Sequence, residues 1–466
     1  MRRRGHVESP VGPYPCLSAR IARLTSGASP ELLGERSGEG QELRREILRG
    51  STIVAIGAGY PMKRFIYERA AELGVRLVLV DEGGHWAEKL VVEGVADRFC
   101  PVDLAALQTG LKAEQILRQI AALPYPVDAV CTFWEDCVSV TARVAEALGL
   151  PGNDPAAVDN ARSKRLTRKA STEAGLPTPR FAAIDEEAEL EAAAGHVGFP
   201  AIIKPEFGAE ALGCYRVDSY EELVSAFRRI KPMINPETNP IFLQGTSMLL
   251  EQYLDGTEFD IDMLLCEGEC VYANVAENWP TMEPYFIETG LHCPSSYPAD
   301  RQAELVDFCI RSVTELGLTL GVFHVEWKYT SHGPQVLEVN ARMGGSIVRD
   351  LNLFVRGVDL VEEHLLASAG IPIRPLEAPE PLCGISNVLL FAERTGAVGS
   401  NRFLADLEAD PRVFWAATNL EPGDGVVCAA DGFPTVLAEI GLRDVDAPTA
   451  VGEIKALADS IVIPYA

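Results

Sequence analysis

The chain has 466 residues, a net charge of −26 and 47% hydrophobic residues, enough apolar material for several cores. So acidic a chain has no general attraction for nucleic acid or an anionic membrane surface, which excludes those function classes. No apolar run approaches the roughly 20 residues of a membrane span. We therefore expect three or four globular units and no membrane segment.

The eleven cysteines are scattered along the chain without the spacing of zinc ligands. The closest pair, Cys266 and Cys270, is predicted at the tip of a hairpin. Reduced structural thiols are the expectation, and they are typical of a cytoplasmic protein.

Residues 1–50 differ in composition from the remainder. They contain nine Arg, six Glu and no Lys, a charge of +3 that leaves −29 for the other residues. No apolar segment follows the initial MRRRGH, so the pattern of a secretory signal is missing. We predict a poorly ordered leader or family-specific extension. A transit peptide is an alternative, against which Glu8 and the later acidic residues count.

From residue 51 to about residue 152, apolar strands alternate with amphipathic helices. Pro61 suits the first turn of the first helix and Gly74 its end, and Gly149 closes a later helix. This alternation predicts a doubly wound domain with a parallel sheet and helices on its faces.

The sequence GAG at residues 57–59, with Asp81 at the end of the second strand, superficially matches a dinucleotide fingerprint. Met62 occupies the place of the third glycine, and Pro61 interrupts the turn. An NAD-dependent oxidoreductase is therefore a weakly supported hypothesis. An ordinary strand-to-helix turn is favoured.

Residues 153–374 have a different pattern. A helix ending at Gly175 is followed by a strand that ends in Lys204, a loop at 206–213, several successive strands and a helix at 301–317. This order predicts α+β organisation with antiparallel strands. Residues 375–466 are predicted to form a small β-rich domain.

The segment VLEVNARMGG, residues 336–345, places Glu338, Asn340 and Arg342 on one face if it is a strand. The preceding SHG is typical of a three-residue hairpin loop. If Thr330 faces Pro334, Glu326 falls directly opposite Glu338, and the sequence therefore predicts two neighbouring carboxylates.

Two such carboxylates repel unless a cation lies between them. The all-oxygen set of Glu326, Glu338 and Asn340 suits Mg²⁺ or Mn²⁺. A solvated sheet face is the alternative, but Arg342 and the glycines beside it favour a site for polyphosphate. Lys204 is a further candidate cation, with the amides of loop 206–213 near it, or else it extends from a strand end into solvent.

These motifs, in order and spacing, resemble the ATP-grasp superfamily. The likeness covers about residues 51–450 and rests on Lys164, Lys204, the segment LLEQYLDGTEFDID and the final LEVNAR. It implies an ATP-grasp fold at 153–374 with a lid at about 176–255, preceded by the parallel-sheet domain and followed by a C-terminal β-rich lobe.

The resemblance also implies ATP and Mg²⁺ or Mn²⁺ as cofactors, with a role for each site residue. Lys164 and Lys204 are expected at the ATP phosphates, Glu251, Gln252, Tyr253 and Leu254 at adenine, Glu258 at the ribose, and Glu326, Glu338 and Asn340 at the metal. Arg342 is expected to neutralise an acyl phosphate, and Gly344, Gly345 and Ser346 to shape the first-substrate site. His292 lines the amino-acid pocket or packs a loop. Loop 206–213 has fewer glycines and serines than in many relatives, which leaves its phosphate contacts open.

The stretches TFWEDCVSVTARVAEALGLPG, ETGLHCPS and LEVNARMGGSIVRDL are similar to the L-amino-acid ligase and carnosine synthase branch. That branch joins the carboxylate of one amino acid to the amine of another, with cleavage of ATP to ADP and phosphate. The resemblance implies small amino-acid substrates and, by analogy, a homodimer. A ligase with a non-amino-acid acyl donor, a carboxylase like biotin carboxylase and a noncatalytic ATP-binding module are alternatives, although the chain has no biotin-type Met-Lys-Met motif.

Overall fold

A computed structural model describes residues 30–105, 108–208 and 211–466 of the chain. The strands in this part are β1 Thr52–Ile56, β2 Arg76–Asp81, β3 Arg98–Pro101, β4 Ala129–Cys131, β5 Phe181–Ile184, β6 Ala201–Pro205, β7 Tyr215–Val217, β8 Met248–Gln252, β9 Thr257–Cys266, β10 Glu269–Asn278, β11 Gly290–Cys293, β12 Gly321–Thr330, β13 Gly333–Asn340, β14 Gly384–Phe391, β15 Gly396–Ala397, β16 Val413–Ala417, β17 Gly425–Val426 and β18 Val436–Asp444. The helices are α1 Gly38–Leu48, α2 Arg64–Glu72, α3 Glu88–Val92, α4 Thr109–Ala121, α5 Val138–Leu148, α6 Pro155–Arg162, α7 Lys164–Glu173, α8 Leu190–Val197, α9 Tyr220–Ile230, α10 Ala299–Glu315, α11 Val348–Arg356, α12 Leu360–Ser368 and α13 Ala447–Ser460.

The first four strands form a parallel sheet in the order β3-β2-β1-β4. Every residue of β1 is buried, as expected for a strand covered on both faces. One apolar cluster packs α4 and α5 against this sheet, and a second packs α1, α2 and α12 against it. The helix boundaries at Pro61, Gly74 and Gly149 are confirmed, and both glycines have positive φ.

The expectation of a poorly ordered leader is wrong for residues 30–50, and the earlier residues lie outside the described part. Helix α1 begins at a serine cap, Ser37, and buries Leu43, Ile47 and Leu48 in the same cluster as the parallel sheet. Its apolar positions have helical spacing, which the arginine-rich composition obscured.

The segment predicted as one helix ending at Gly175 contains two helices. Ser163 separates α6 from α7, and its hydroxyl accepts a hydrogen bond from the Leu166 amide as the N-cap of α7. The break makes Lys164 the first residue of a helix, from which its side chain reaches the central sheet.

A second sheet, β5-β8-β6-β7, is antiparallel and lies within the range assigned to the lid. It has a core of its own with α8 and α9. Lys204 stands near the end of β6 and is buried, as predicted.

The central sheet has eight strands in the order β13-β12-β9-β10-β11-β14-β18-β16, and neighbouring strands are antiparallel. On one face Phe259, Ile261 and Val325 pack beneath α10. The β-rich character of the C-terminal region is confirmed, but β14, β18 and β16 extend this central sheet. The region after residue 375 thus contributes directly to the same surface as the central motifs.

The ten cysteines in the described part of the chain are free thiols. Cys266 and Cys270 flank the turn between β9 and β10, which confirms the predicted hairpin. No helix among the described residues is both long and apolar enough to cross a bilayer.

The contact between α1 and α12 buries several charges. Glu362 accepts hydrogen bonds from Arg45 and Arg69. The adjacent Glu363 is 2% exposed, and within the described chain its Oε2 atom has no hydrogen-bond partner. Burial and the Glu362 carboxylate raise the pKa of Glu363 to about 8.

Replacing Glu363 by Gln is expected to stabilise the protein in alkaline but not in acidic solution. A carboxyl whose pKa rises from 4.5 to about 8 on folding destabilises the fold progressively across that interval, and the cost vanishes below it. Denaturant unfolding should show a gain on the order of a few kcal/mol at about pH 9 and little at about pH 5. The matched variant Glu362→Gln loses two ion pairs and should destabilise at both pH values.

Candidate functional site

The hairpin of β12 and β13 places Glu326 opposite Glu338, as predicted. The loop length and the pairing next to the loop differ from the prediction. Thr330 pairs with Gly333, so the loop is one residue shorter, and a bulge at Leu337 restores the register before Glu338. The carbonyl of Leu337 accepts a 2.6 Å hydrogen bond from Nη2 of Arg168.

Polar side chains cover one face of the three strands β9, β12 and β13. Their registers place on this face Glu258, Asp260 and Asp262 of β9, His324, Glu326 and Lys328 of β12, and Glu338 and Asn340 of β13. The opposite face is apolar, since alternate residues of a strand point to opposite sides. The charged residues of the VLEVNAR segment therefore belong to a wider polar surface.

Negative charge dominates this surface. Burial and the carboxylates of Glu338 and Asp260 raise the pKa of Glu326 well above its ordinary value. The pKa of Glu338 is lowered, because the Lys164 ammonium, 3.0 Å from Oε1, outweighs the opposing effect of burial. Burial alone would lower the pKa of His324. The carboxylates of Asp260 and Asp262 outweigh that effect and raise the pKa to about 10.

The predicted metal residues lie together. Asn340 donates to Glu326 at 3.4 Å, and Glu326 is opposite Glu338. Among the described residues, no three His, Cys, Asp or Glu side chains converge as a metal site. The donors are therefore two carboxylates and a carboxamide, an oxygen set that fits Mg²⁺ or Mn²⁺ and leaves positions for phosphate oxygens and water.

Lys204 joins a buried ion cluster on the two inner strands of the lid sheet, β6 and β8. Its Nζ lies 2.7 Å from Oε2 of Glu251, and Nε of Arg168 lies 3.0 Å from Oε1 of the same carboxylate. These two cations lower the pKa of Glu251 to about 2 although burial opposes them. The carboxylate of Glu251 thus holds two basic side chains, and only its backbone is left for the predicted adenine contact.

The residues after Glu251 connect the lid to the central sheet. The Gln252 amide donates to the Arg180 carbonyl, the Tyr253 amide donates to the Pro200 carbonyl, and Leu254 is buried. Glu258 lies on the polar face with its Oε2 atom 3.8 Å from Nζ of Lys328. Burial raises the pKa of Glu258 to about 7.

Arg342 extends toward the N-terminal domain. Its Nε donates to Glu135 at 2.5 Å, and its Nη1 donates to the Met343 carbonyl. Glu135 also lies 3.3 Å from Nε of the buried Arg162. This carboxylate therefore bridges two guanidinium groups at the junction between the parallel and central sheets.

The loop after Arg342 lines an open pocket. Gly344, Gly345 and Ser346 form one wall, facing Lys63 and Glu439. A side chain at Gly344 would place Cβ 2.8 Å from Nδ1 of His324, so the loop can approach the polar face only with glycine there. The predicted first-substrate residues thus share one cavity.

His292 does not belong to this surface. It pairs with Glu277, which pairs with the core residue Phe259, so the register places His292 on the face away from Asp260. Its Nε2 atom is 3.4 Å from Glu277, and its Nδ1 atom accepts a hydrogen bond from Trp279. The register and these contacts favour the alternative of a packed histidine over a position in the amino-acid pocket.

The glycine turn after β1 does not present a nucleotide site. Asp81 accepts hydrogen bonds from the amides of Ala58 and Glu82, which engages both carboxylate oxygens. Side chains at Gly57 and Gly59 would collide with Cys137 and Trp134 at 2.5 and 2.7 Å. These glycines allow close packing, in agreement with an ordinary strand-to-helix turn.

Several site residues were missed from the sequence. Asp260, Asp262 and His324 could have been found by applying the same period-two alternation to EFDID and HVEWK. Arg168, Glu135, Lys63 and Glu439 carry no such signal, because only tertiary contacts bring them to the site.

Comparison with known proteins agrees with this architecture. The ATP-grasp domain family matches residues 197–350, and the ATP-grasp N-terminal domain family matches residues 67–152. The chain belongs to the ATP-grasp superfamily. The carboxylate pair and its lysines therefore lie within, or beside, the ATP-grasp domain of this protein.

Relatives of this ATP-grasp protein include carnosine synthase 1 of Gallus gallus, 34% identical over 408 residues, 83% of this chain. The chain spans only 43% of the length of that relative. The structure of an L-amino acid ligase from Bacillus licheniformis has a TM-score of 0.77 at 23% identity, covering 90% of this chain and 99% of that one. A biotin carboxylase domain from Hydrogenobacter thermophilus, in complex with MgADP and bicarbonate, has a TM-score of 0.65 at 14% identity, covering 89% and 91%.

Replacing Arg168 by Met should destabilise this ATP-grasp protein by about 3–5 kcal/mol, the usual cost of breaking a buried ion pair. The change leaves Glu251 with one cation and the Leu337 carbonyl without its donor. Denaturant unfolding measures the effect. Lys169→Met on the same helix removes a side chain that is 63% exposed and should change stability by less than about 0.5 kcal/mol. Equal effects of the two variants would contradict the importance of the buried cluster.

Proposed function

We propose that this protein is an ATP-dependent carboxylate–amine ligase that forms an amide bond between two amino acids through an acyl phosphate, releasing ADP and phosphate. The observation that carries the proposal is the ring of cations around the carboxylate pair. Lys164 contacts Glu338, Lys204 lies beyond it on the lid, and Arg342 stands two residues after Asn340. The sequence similarity of this chain to carnosine synthase 1 supports amino acids as its substrates.

Lys164 and Lys204 would bind the phosphates of ATP. Both ammonium groups are preplaced by carboxylates, Lys164 by Glu338 and Lys204 by Glu251. Lys164 also donates to the Gly208 carbonyl in the loop of the lid, so it links the phosphate site to that loop. Ala209 and Glu210 of the loop lie outside the described residues.

Glu326, Glu338 and Asn340 would hold Mg²⁺ or Mn²⁺. The raised pKa of Glu326 reflects repulsion that a nearby dication would relieve. The metal would supply positive charge to offset that of the triphosphate. Lys164 also faces Glu338, so the two lysines and the metal would share the task of neutralisation.

Activation is needed because a carboxylate is a poor electrophile. Transfer of the γ-phosphoryl group forms the acyl phosphate, and attack by the amine then forms the C–N bond as phosphate leaves. Arg342 would stabilise the negative charge on the acyl group during both steps, since a guanidinium remains protonated at any physiological pH. Glu135 orients that guanidinium from the N-terminal domain.

Water must be kept from the acyl phosphate. The lid sheet has its own apolar core and joins the central sheet through β8 and the segment that follows it. It is therefore suited to move as a unit over the polar face and close the site during turnover.

The first test is phosphate release from MgATP across a matrix of paired amino acids, with mass spectrometry of the products. Release that requires both amino acids and yields their condensation product supports the proposal. Release that requires a partner outside this class would retain the ligase mechanism with a different donor. Release that depends on bicarbonate would indicate carboxylation instead.

The variant Glu338→Gln should lose Mg²⁺-dependent turnover, on the order of 100-fold or more in kcat, with its fold intact. The change removes a charged oxygen ligand and the partner of Lys164. Circular dichroism and steady-state kinetics measure the two effects. Glu315→Gln, at an exposed position on α10, should turn over normally. Wild-type activity in Glu338→Gln would refute the metal assignment.

The variant Arg342→Ala should reduce amide formation by about 10²–10³-fold, the scale observed when a single charge-stabilising donor is removed from an active site. Its dissociation constant for ATP should change by less than about threefold, since the proposed role concerns the acyl group. Titration calorimetry and single-turnover kinetics separate the two quantities. An equal loss in binding and turnover would count against the role.

A further inference from the structure

The pocket beside the Gly344 loop contains a carboxylate without a basic partner. Glu439 accepts hydrogen bonds from the side chains of Ser346, Asn387 and Trp415. All three donors are neutral, and no lysine, arginine or histidine in the described part of the chain forms an ion pair with Glu439. A half-buried carboxylate in such surroundings is a strong receptor for a positive charge.

The sheet registers place Glu439 on the same face as the proposed metal residues. Glu439 pairs with Leu389, two residues beyond Asn387 on the same face of β14. Asn387 pairs with Leu291, and Leu291 with Asn278, whose side chain donates to Asp260. A single surface therefore runs from the carboxylate pair to Glu439.

Glu288 lies between these two ends. Withdrawal from bulk water and the carboxylates of Asp260 and Glu258 raise the pKa of Glu288 to about 8, with a further contribution from Glu439. Carboxyl groups thus continue along this surface from the carboxylate pair up to Glu439.

The pocket separates charges of opposite sign. Lys63 is the basic residue of the lining and Glu439 the acidic one, and the rings of Tyr60 and Trp415 also line the cavity. Arg342 lies outside the lining, close enough to Lys63 to affect its charge. Lys63 donates to the Phe133 carbonyl at 3.0 Å, and burial together with the charge of Arg342 lowers its pKa to about 7. Aromatic rings beside a carboxylate favour a cationic group. A lining that carries charges of both signs suits a small zwitterion.

We infer that Glu439 binds the ammonium group of the acyl donor while the carboxylate of the same molecule is activated near Arg342. This inference rests on the proposed ligase function and specifies its donor as an amino acid, held at both ends. A bound ammonium has no free lone pair. The amine of the activated molecule therefore cannot attack its own acyl phosphate, and the nucleophile is the amine of the molecule in the second-substrate site.

Hydroxylamine isolates the donor step from the identity of the second substrate. It attacks the acyl phosphate, the C–N bond forms as the C–O bond to phosphate breaks, and one proton is released. The products are a hydroxamate and phosphate. The experiment compares glycine, 3-aminopropionate and 4-aminobutyrate with acetate, propionate and butyrate, which have the same chains without nitrogen.

The wild-type protein should form hydroxamates from at least one amino acid with a KM well below that of its nitrogen-free counterpart. Glu439→Gln should raise the KM for the amino acid by about 10- to 100-fold, the effect of losing a hydrogen bond to a charged group. It should leave the KM of the nitrogen-free acid unchanged. Glu439→Asp keeps the charge and should retain part of the preference. Asp459→Asn, at an exposed position on α13, should behave as the wild type.

Two outcomes would overturn the inference while leaving the ligase function in place. In one, Glu439→Gln raises the KM of the amino acids and of the nitrogen-free acids equally, which indicates a structural role. In the other, only the KM of the second substrate rises in the complete reaction. Absence of any hydroxamate from the wild type, with MgATP binding verified by thermal shift, would instead contradict the ligase function itself.

Discussion

Two carboxylates that face each other across a hairpin determine much of this structure. Glu326 and Glu338 lie on a surface where Asp260 and Glu258 add further negative charge. Such a concentration of like charge is unfavourable unless cations surround it. Lys164 and His324 meet that requirement within the protein. The remaining negative charge is what would hold the proposed metal and, through it, a phosphate.

The cations are held in turn by a framework outside the sheet. Arg168, wholly buried, contacts both the Glu251 carboxylate and the bulge carbonyl of Leu337, so it connects the lid, helix α7 and the hairpin. Glu135 of the N-terminal domain holds Arg342 by accepting a hydrogen bond from its guanidinium. Through these contacts each of the three sheets contributes or positions a charge at the common site.

The continuity of the eight-stranded sheet has a functional consequence. Because β14, β18 and β16 extend the sheet that carries the carboxylate pair, the proposed phosphate end and the proposed amino-acid end lie on one continuous sheet. The Gly344 loop lies between them. It can lie close to His324 because Gly344 has no side chain. The spacing between the two ends is therefore set by strand registers, and mobile loops have little influence on it.

The sequence alone determined the elements and the chemistry that depend on local periodicity. Alternation along VLEVNAR predicted a polar face with Glu338 and Asn340, and the ordered motifs predicted the ATP-grasp fold and the two lysines. Tertiary structure decided what depends on register and packing. The shorter hairpin loop would have displaced Glu326 from Glu338 had the bulge at Leu337 not restored the pairing, and no local pattern signals a bulge.

The same reason accounts for the other differences. His292 lies on the opposite face because strand pairing, which its own segment does not encode, sets its orientation. Glu439 and Lys63 come from opposite ends of the chain and meet in one pocket only after folding. Periodicity is a property of a few neighbouring residues and can be found in the sequence, whereas a site assembled from distant segments depends on how those segments pack.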